Sequence, residues 1–181
     1  MSLFVGAYWK ERKESRHECA VRMTAFLEAL ARENIGLLQW YKTVRSRKAP
    51  LVAISKDVAG LESLLKLNRR DIDGEVILDL GFSFSAWAGP EDKMGVSLSA
   101  TCGAYNPLIT NAVVLSFSSF EEPLPQSSLE FLQEILRAMV SAFDPEDAVL
   151  NSPENLSKYS LPVTEAPAIY SYKRGSGFFQ T

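Results

Sequence analysis

Between Leu80 and Tyr105 the chain alternates apolar and hydroxyl side chains through two arms, and no other pattern limits its fold more strongly. Successive side chains of a strand point to opposite faces, so a period of two puts an apolar row on one face and a hydroxyl row on the other. Gly89-Pro90 and Gly95 bracket a polar turn between the arms. The stretch therefore predicts a β-hairpin with one buried face. Its apolar positions are Leu80, Phe82, Phe84 and Ala86, then Val96, Leu98, Ala100 and Cys102.

Two segments carry a helix start signal followed by apolar residues at helical spacing. Ser15 and Glu18 form a Ser-x-x-Glu capping box, and Ser127 and Glu130 form another. Behind each box apolar side chains recur every three or four positions, which is typical of an amphipathic helix. The second helix is expected to stop at Asp144-Pro145, because the residue before a proline is disfavoured in the α region.

Weaker signals surround these elements. Two more short helices are predicted, one over Leu37–Val44 and one from an Asp57 N-cap through Leu65. Pro and Gly punctuate much of the remaining sequence, including the Gly175-Ser176-Gly177 run, which is interpreted as flexible tail. Strand signals outside the hairpin lie at Leu3–Trp9, Leu51–Ile54, Ala112–Phe117, Ala148–Leu150 and Ile169–Tyr172.

Grouped strands separated by helices favour an α+β fold. We expect a mostly antiparallel sheet, with the hairpin and meander of residues 80–117 at its centre and amphipathic helices covering one face. A chain of 181 residues is long enough to bury a core as one domain. We assign residues 1–150 to that domain and residues 151–181 to an irregular C-terminal extension that packs on it or trails from it.

The sequence indicates a cytoplasmic protein. It lacks a signal-peptide pattern at its start and has no apolar run near the ~20 residues of a membrane span. Cys19 falls on an apolar helix face and Cys102 on an inward strand position, where free thiols behave as small buried hydrophobes. A disulfide between them is disfavoured.

The net charge of −3 hides an uneven distribution. Residues 1–70 carry 14 Lys and Arg against 7 Asp and Glu, whereas residues 71–160 carry 3 against 14. Such asymmetry between parts of a chain is a hint of a charged partner, unless folding mixes the two parts on one surface.

Patterns for the common catalytic and metal sites are missing. His17 is the one histidine and stands in the first turn of a predicted helix, where an exposed structural role is expected. One histidine and two distant cysteines cannot form the usual zinc sites, and no phosphate-binding glycine motif occurs. Asp71, Asp73 and Glu75 share a loop but lack the spacing of a calcium loop.

The carboxylates after residue 70 are interpreted as an acidic surface for a basic partner, since complementary charge speeds association and selects partners. Trp87 lies on the hydroxyl side of its strand and Tyr105 follows the second arm, so either could anchor an interface. Packing against the C-terminal tail is an equally ordinary role for both. The candidate interface residues are Asp71, Asp73, Glu75, Trp87, Glu91, Asp92, Tyr105, Glu121 and Glu122.

Two other function classes stay open. A small enzyme that uses carboxylates without histidine would need a deep pocket holding at least two carboxylates with perturbed pKa values. A nucleic-acid-binding module would need its basic residues on one surface, although an isoelectric point of about 5.3 weighs against it. The residues concerned are Arg45, Arg47, Lys48, Arg69 and Arg70.

Several short motifs of this sequence resemble those of the polymorphic-toxin immunity protein family 52. They occur in the family's order and approximate spacing over roughly the first 150 residues. The aromatic motif at the start and the two motifs in the hairpin form the more specific part of the set. The motifs are Gly6-Ala7-Tyr8-Trp9, Glu14-Ser15 with Cys19-Ala20 and Arg22, Leu80-Gly81-Phe82 through Trp87 and Gly89, and Cys102-Gly103-Ala104-Tyr105 with Asn111.

The resemblance implies a cytoplasmic inhibitor and not an enzyme. Members of that family are encoded beside toxins with a restriction-endonuclease-like nuclease domain (toxin family 5), which type VI secretion often delivers. The implied partner is the cognate nuclease, with neither a cofactor, a metal nor direct nucleic-acid binding. A nuclease presents a positive cleft to DNA, which the acidic segment could cover as a negative plug.

Overall fold

A computed structural model describes residues 2–32, 39–43, 51–67, 74–88, 95–118, 126–153 and 168–180. The helices are α1 (Arg16–Arg32), α2 (Val58–Leu64) and α3 (Gln126–Phe143), and a 3-10 turn spans Leu78–Leu80. The strands are β1 (Leu3–Trp9), β2 (Trp40–Lys42), β3 (Lys66–Leu67), β4 (Phe82–Ala88), β5 (Val96–Cys102), β6 (Asn111–Phe117), β7 (Asp147–Asn151), β8 (Tyr170–Lys173) and β9 (Gly177–Gln180).

The nine described strands form one antiparallel sheet, which confirms the α+β class. Its order is β2-β4-β5-β6-β1-β7-β8-β9, with β3 also paired to β4. The predicted hairpin is β4–β5, and β6 completes the meander as expected. Residues of α1 and α3 and the inward row of the strands belong to one core, so these helices cover one face of the sheet.

Strand β1 is central to this sheet although it comes first in the sequence. It pairs antiparallel with β6 on one side and with β7 on the other. Strands β6 and β7 therefore run parallel to each other with β1 between them, and their connection must cross over it. Helix α3 is that crossover, and it packs on both β1 and β7.

The alternation of the hairpin produces its two faces as predicted. Phe84 and Leu98 are 5% and 1% exposed and face the helices, whereas Ser97 and Ser99 on the other face are exposed. The core helices match this inward row with buried apolar stripes. Burial of the inward side chains removes apolar surface from water and contributes about 25 cal/mol for each Å².

The base of the hairpin requires two glycines. Gly81 and Gly103 have φ values of 68° and 71°, a conformation that side chains with a Cβ rarely adopt. A Cβ on Gly81 would lie 2.4 Å from the carbonyl oxygen of Cys102, so the two chain segments can approach only without it. Asn111 then fixes the loop, because its buried side chain accepts from the amide of Ala104 and donates to the carbonyl oxygens of Ala104 and Lys10.

Two helix starts follow the predicted caps, whereas α3 begins at Gln126, one residue before the predicted cap Ser127. The carboxylate of Glu18 accepts from the amide of Ser15, and the hydroxyl of Ser15 accepts from the amide of Glu18, which completes the capping box before α1. Asp57 accepts from the amide of Gly60 at the start of α2. These bonds satisfy amides that have no partner within the helix.

Three local predictions differ from the structure. In the predicted helix Leu37–Val44, the described residues form strand β2, because Trp40 packs in the core while Tyr41 points to the opposite face. In the predicted strand Leu51–Ile54, Ala53 makes one isolated bridge to Tyr41. Gly175-Ser176-Gly177 is not tail but contributes the turn between β8 and β9, which extend the sheet beyond β7.

A partly buried ion-pair network joins the end of α3 to the loop that follows β1. The carboxylate of Glu14 is 6% exposed and lies 2.5 Å from Nε of Arg22 and 3.4 Å from Nε of Arg12. Arg12 donates to the carbonyl oxygens of Phe143 and Asp144, and Arg22 donates to that of Ala142. The two arginines thus satisfy carbonyls that a helix end leaves without partners.

Glu14→Gln should lower the free energy of unfolding by about 3 kcal/mol, because it leaves two partly buried guanidinium groups without their counter-charge. Urea unfolding followed by circular dichroism measures this. Glu28→Gln is the matched control: it breaks an exposed pair with Arg32 and should change stability by less than about 0.5 kcal/mol. Similar losses in both variants would show that the Glu14 network does not stabilise the fold.

Candidate partner-binding site

The face of the sheet opposite the helices is called the open face. Its side chains align in rows across the strands, and toward β7 it carries a small buried cluster of its own, in which Ala168 packs with Phe4 and Val149. One row crosses six strands and a second row lies beside it toward the base of the hairpin. The first row contains Tyr41, Trp87, Ser97, Ser116, Phe4 and Asn151. The second contains Ser85, Ser99, Val114, Gly6, Val149 and Ser171.

A groove of about 680 Å³ lies on the open face, and the sizes of these side chains explain it. In the first row two serines, Ser97 and Ser116, stand between the aromatic side chains of Trp87 and Phe4. Neighbouring strands are ~4.8 Å apart, so the strands carrying the two aromatics are about 14 Å apart. The two serines therefore form the floor of the groove, and the aromatic side chains on either side form its walls.

Tyr8 forms part of the groove because residue 6 is glycine. The tyrosine side chain lies along β1 over Gly6, where an added Cβ would be 2.4 Å from its hydroxyl oxygen. Burial raises the pKa of Tyr8 to about 12, since the charged phenolate would lose its hydration there. The glycine of the Gly6-Ala7-Tyr8-Trp9 motif therefore has a structural role: it leaves room for the Tyr8 ring to lie flat against its own strand.

The described lining of the groove is uncharged. No aspartate, glutamate, lysine or arginine is among the described residues that line it. Within the described residues, the hydroxyls of Ser97, Ser99 and Ser116 make no side-chain hydrogen bond. The cores of protein–protein interfaces are likewise poor in charge and rich in aromatic residues, and tyrosine, tryptophan and serine are typical of recognition loops.

The residues predicted from sequence divide between the two ends of the hairpin. Trp87 forms a wall of the groove and packs on Tyr41, with ring centroids 5.2 Å apart. Tyr105 lies beyond the other end of β5, is 36% exposed and carries Lys13 above its ring at 5.0 Å. The ends of β5 next to Trp87 and to Tyr105 are separated by about 17 Å, so these two aromatics do not form one anchor.

Of the seven acidic candidates, the structure describes Glu75, which is exposed on the Tyr105 side of the hairpin. The backbone of Tyr105 donates to the carbonyl oxygen of Asp79, which joins the segment after Glu75 to that end. The other six lie outside the described residues: Asp71, Asp73, Glu91, Asp92, Glu121 and Glu122.

Sequence reasoning missed most of the groove. Phe4, Tyr8 and Val114 line it, and the sequence alone suggests only that they belong to strands. Their common site depends on β1 lying next to β6, a pairing between residues more than 100 positions apart. The available signal was the Gly-x-Tyr spacing in β1, because a glycine two positions from an aromatic residue allows its ring to lie on the strand.

Comparison with known proteins identifies the family. The family profile described as Immunity protein 52 matches residues 2–171, nearly the whole chain. The chain belongs to the immunity protein 52 family. Among curated proteins none matches significantly. Among solved structures, the chain is similar to Pseudomonas aeruginosa T6SS protein PA0821 at 12% identity and a TM-score of 0.43, over 82% of this chain and 39% of that protein.

Membership of an immunity protein family favours a binding protein over an enzyme. Among the described carboxylates, hydrogen bonds from Ser15 lower the pKa of Glu18, and hydrogen bonds from Ser55 and Gly60 lower that of Asp57. Both shifts come from helix capping, so they do not indicate catalysis.

Other site types find no support in the described residues. They contain no group of three or more metal-ligating side chains. His17 is exposed and lies 3.1 Å from Glu62, as its helix-start position predicts. Cys19 and Cys102 are free and buried. None of the helices described is long and apolar enough to span a membrane. The five basic residues of the nucleic-acid alternative lie outside the described ranges.

Tyr8 should make the protein less stable at alkaline pH. Because its pKa is higher in the folded state, its contribution is complete below pH 10 and is lost as the pH rises toward 12, when the unfolded chain releases this proton more readily. The expected loss is at most about 2.7 kcal/mol for a shift of two pKa units. Unfolding of wild type and Tyr8→Phe between pH 9 and pH 12 measures it.

The variant lacks this proton, so its stability should decline less steeply above pH 10, and its tyrosinate absorbance should lack the group that titrates near pH 12. Identical pH slopes in the two proteins would contradict the assignment of a buried Tyr8 hydroxyl.

Proposed function

We propose that this chain neutralises a cognate nuclease toxin by binding it in a stoichiometric protein–protein complex, without chemistry of its own. Membership of the immunity protein 52 family over residues 2–171 carries the proposal. The toxin would have a restriction-endonuclease-like fold and be delivered by type VI secretion. The complex would form in the cytoplasm of the producing cell, whose nucleic acid it protects.

The acidic candidates supply the electrostatic part of the proposal. A nuclease must attract the phosphates of its substrate, so it presents positive charge that carboxylates can cover. In sequence, Glu91 and Asp92 stand between Ala88 and Gly95, and Glu121 and Glu122 follow Ser118 closely. These four acids form the first acidic set.

In sequence, the first acidic set lies near two residues that line the groove. The amide of Gly95 donates to the hydroxyl of Ser118 at 3.1 Å, and both residues line the groove. Along the chain, Glu91 and Asp92 precede Gly95 by four and three residues, and Glu121 and Glu122 follow Ser118 by three and four. In the proposed complex the first set would contact the toxin separately from the groove.

The second acidic set is Asp71, Asp73 and Glu75, of which the described Glu75 is exposed. In the proposed complex the two sets contact different parts of the toxin. We expect the first set to have the larger effect, because in sequence it lies near residues of an uncharged aromatic groove of the kind found in interface cores.

The test measures binding of the purified chain to the nuclease domain encoded beside its gene, by biolayer interferometry and inhibition of DNA cleavage from 50 to 500 mM salt. Wild type should inhibit at one to one. Changing Glu91, Asp92, Glu121 and Glu122 to their amides should lower the association rate on the order of tenfold at low salt and flatten its salt dependence, because steering charge is lost.

Two controls make the result specific. The same change in Asp71, Asp73 and Glu75 tests the second set, and Glu28→Gln with Glu134→Gln removes two exposed helix carboxylates. The helix variant should behave as wild type. Failure of the wild-type chain to bind the toxin domain at 50 mM salt would reject the proposed function, and equal salt dependence in all variants would reject the acidic sets alone.

A further inference from the structure

We propose that the groove on the open face receives an uncharged, apolar side chain from a loop of the toxin, and that this contact holds the complex together after charge has brought the partners near. The inference rests on the proposed function and assigns its principal contact. It names a surface, lined by Trp87, Phe4, Tyr8, Val114, Ser97 and Ser116, that differs from the acidic residues.

The charge of the lining selects the occupant. A lysine or arginine from the toxin would lose hydration in the groove, where no described lining residue offers a counter-charge. An apolar or aromatic side chain loses nothing of this kind and gains contact with the Trp87 ring and the Tyr8 ring. The groove thus complements an uncharged part of a surface whose surroundings are basic.

The lining is also prepared for contact. Trp87 packs on Tyr41 of the neighbouring strand, at an angle of 32° between the rings, which restricts the freedom of its side chain before binding. The serine hydroxyls of the floor have no side-chain partner among the described residues and remain available to an incoming backbone. Rigid aromatic walls with adaptable hydroxyls between them bind at low entropic cost.

The size of this surface fits the core of an interface and not the whole of it. Four strands at ~4.8 Å spacing and seven residues at ~3.3 Å give the β4-β5-β6-β1 region an area of roughly 400 Å². A stable protein complex buries about 800 Å² on each partner. The groove region would supply about half, and the rest of the interface would supply the polar rim.

Two substitutions at one position separate this contact from the charge effect. Ser97 is exposed on the groove floor, where a long charged side chain of either sign would fill the space. We expect both Ser97→Arg and Ser97→Glu to raise the dissociation constant for the toxin domain at least 30-fold, mainly through faster dissociation. If negative charge alone drove binding, Ser97→Glu would bind as well as wild type or better.

Ser176→Arg is the matched control, because Ser176 is an exposed serine in the β8–β9 turn, outside the groove. It should bind as wild type. Thermal unfolding and near-ultraviolet circular dichroism check that each variant keeps the fold, and Ser116→Arg repeats the test from the neighbouring strand if Ser97→Arg does not fold.

The outcomes distinguish the two proposals. Loss of binding in folded variants of both signs supports the groove contact. Tight binding by wild type with unchanged binding by both Ser97 variants, or by Ser97→Glu alone, keeps the proposed function and overturns the groove contact. Absence of binding by wild type rejects the proposed function, and the groove contact with it.

Discussion

The placement of β1 between β6 and β7 is the constraint on which the other features depend. Both edges of this strand are occupied by hydrogen bonds, so it cannot be removed without exposing unpaired backbone groups on two neighbours. It forces the β6–β7 connection to cross, and α3 makes the crossing on one face. The Glu14 network then fixes the end of α3 to the loop after β1. With the helices held on that side, the opposite face carries the small cluster of Phe4, Val149 and Ala168 and, beside it, the groove.

Polar side chains are used in two opposite ways on the two sides of β1. At the end of α3, the polar groups contact one another or helix carbonyls and so stabilise the fold. They belong to Glu14, Arg12 and Arg22. On the open face, Ser97 and Ser116 lie in register and make no side-chain bond within the described residues. Hydroxyls without an internal hydrogen bond do not stabilise the fold through such a bond. They can therefore serve in recognition.

Local signals in the sequence were sufficient for much of the fold. The alternation from Phe82 to Cys102 specified the hairpin, and the Ser15 and Asp57 caps specified two helix starts, because each depends on residues a few positions apart. Strand β2 was predicted as a helix since three residues are too few to show a period, and its partner β4 lies far along the chain. The groove was missed for the same reason: it needs the β1–β6 register, which no local pattern encodes.

In the proposed complex, charge and groove would have different tasks. Carboxylates act at a distance and attract any cationic cleft, so they accelerate capture of a toxin but discriminate poorly among related nucleases. The groove acts only at contact and rejects a side chain of the wrong size or charge, which lengthens the life of the correct complex. A cell that makes its own nuclease needs both properties, because a slow inhibitor arrives late and a promiscuous one can be occupied by the wrong toxin. The separation of an uncharged Trp87–Ser97–Ser116–Phe4 row from the acidic segments of the sequence is consistent with this division.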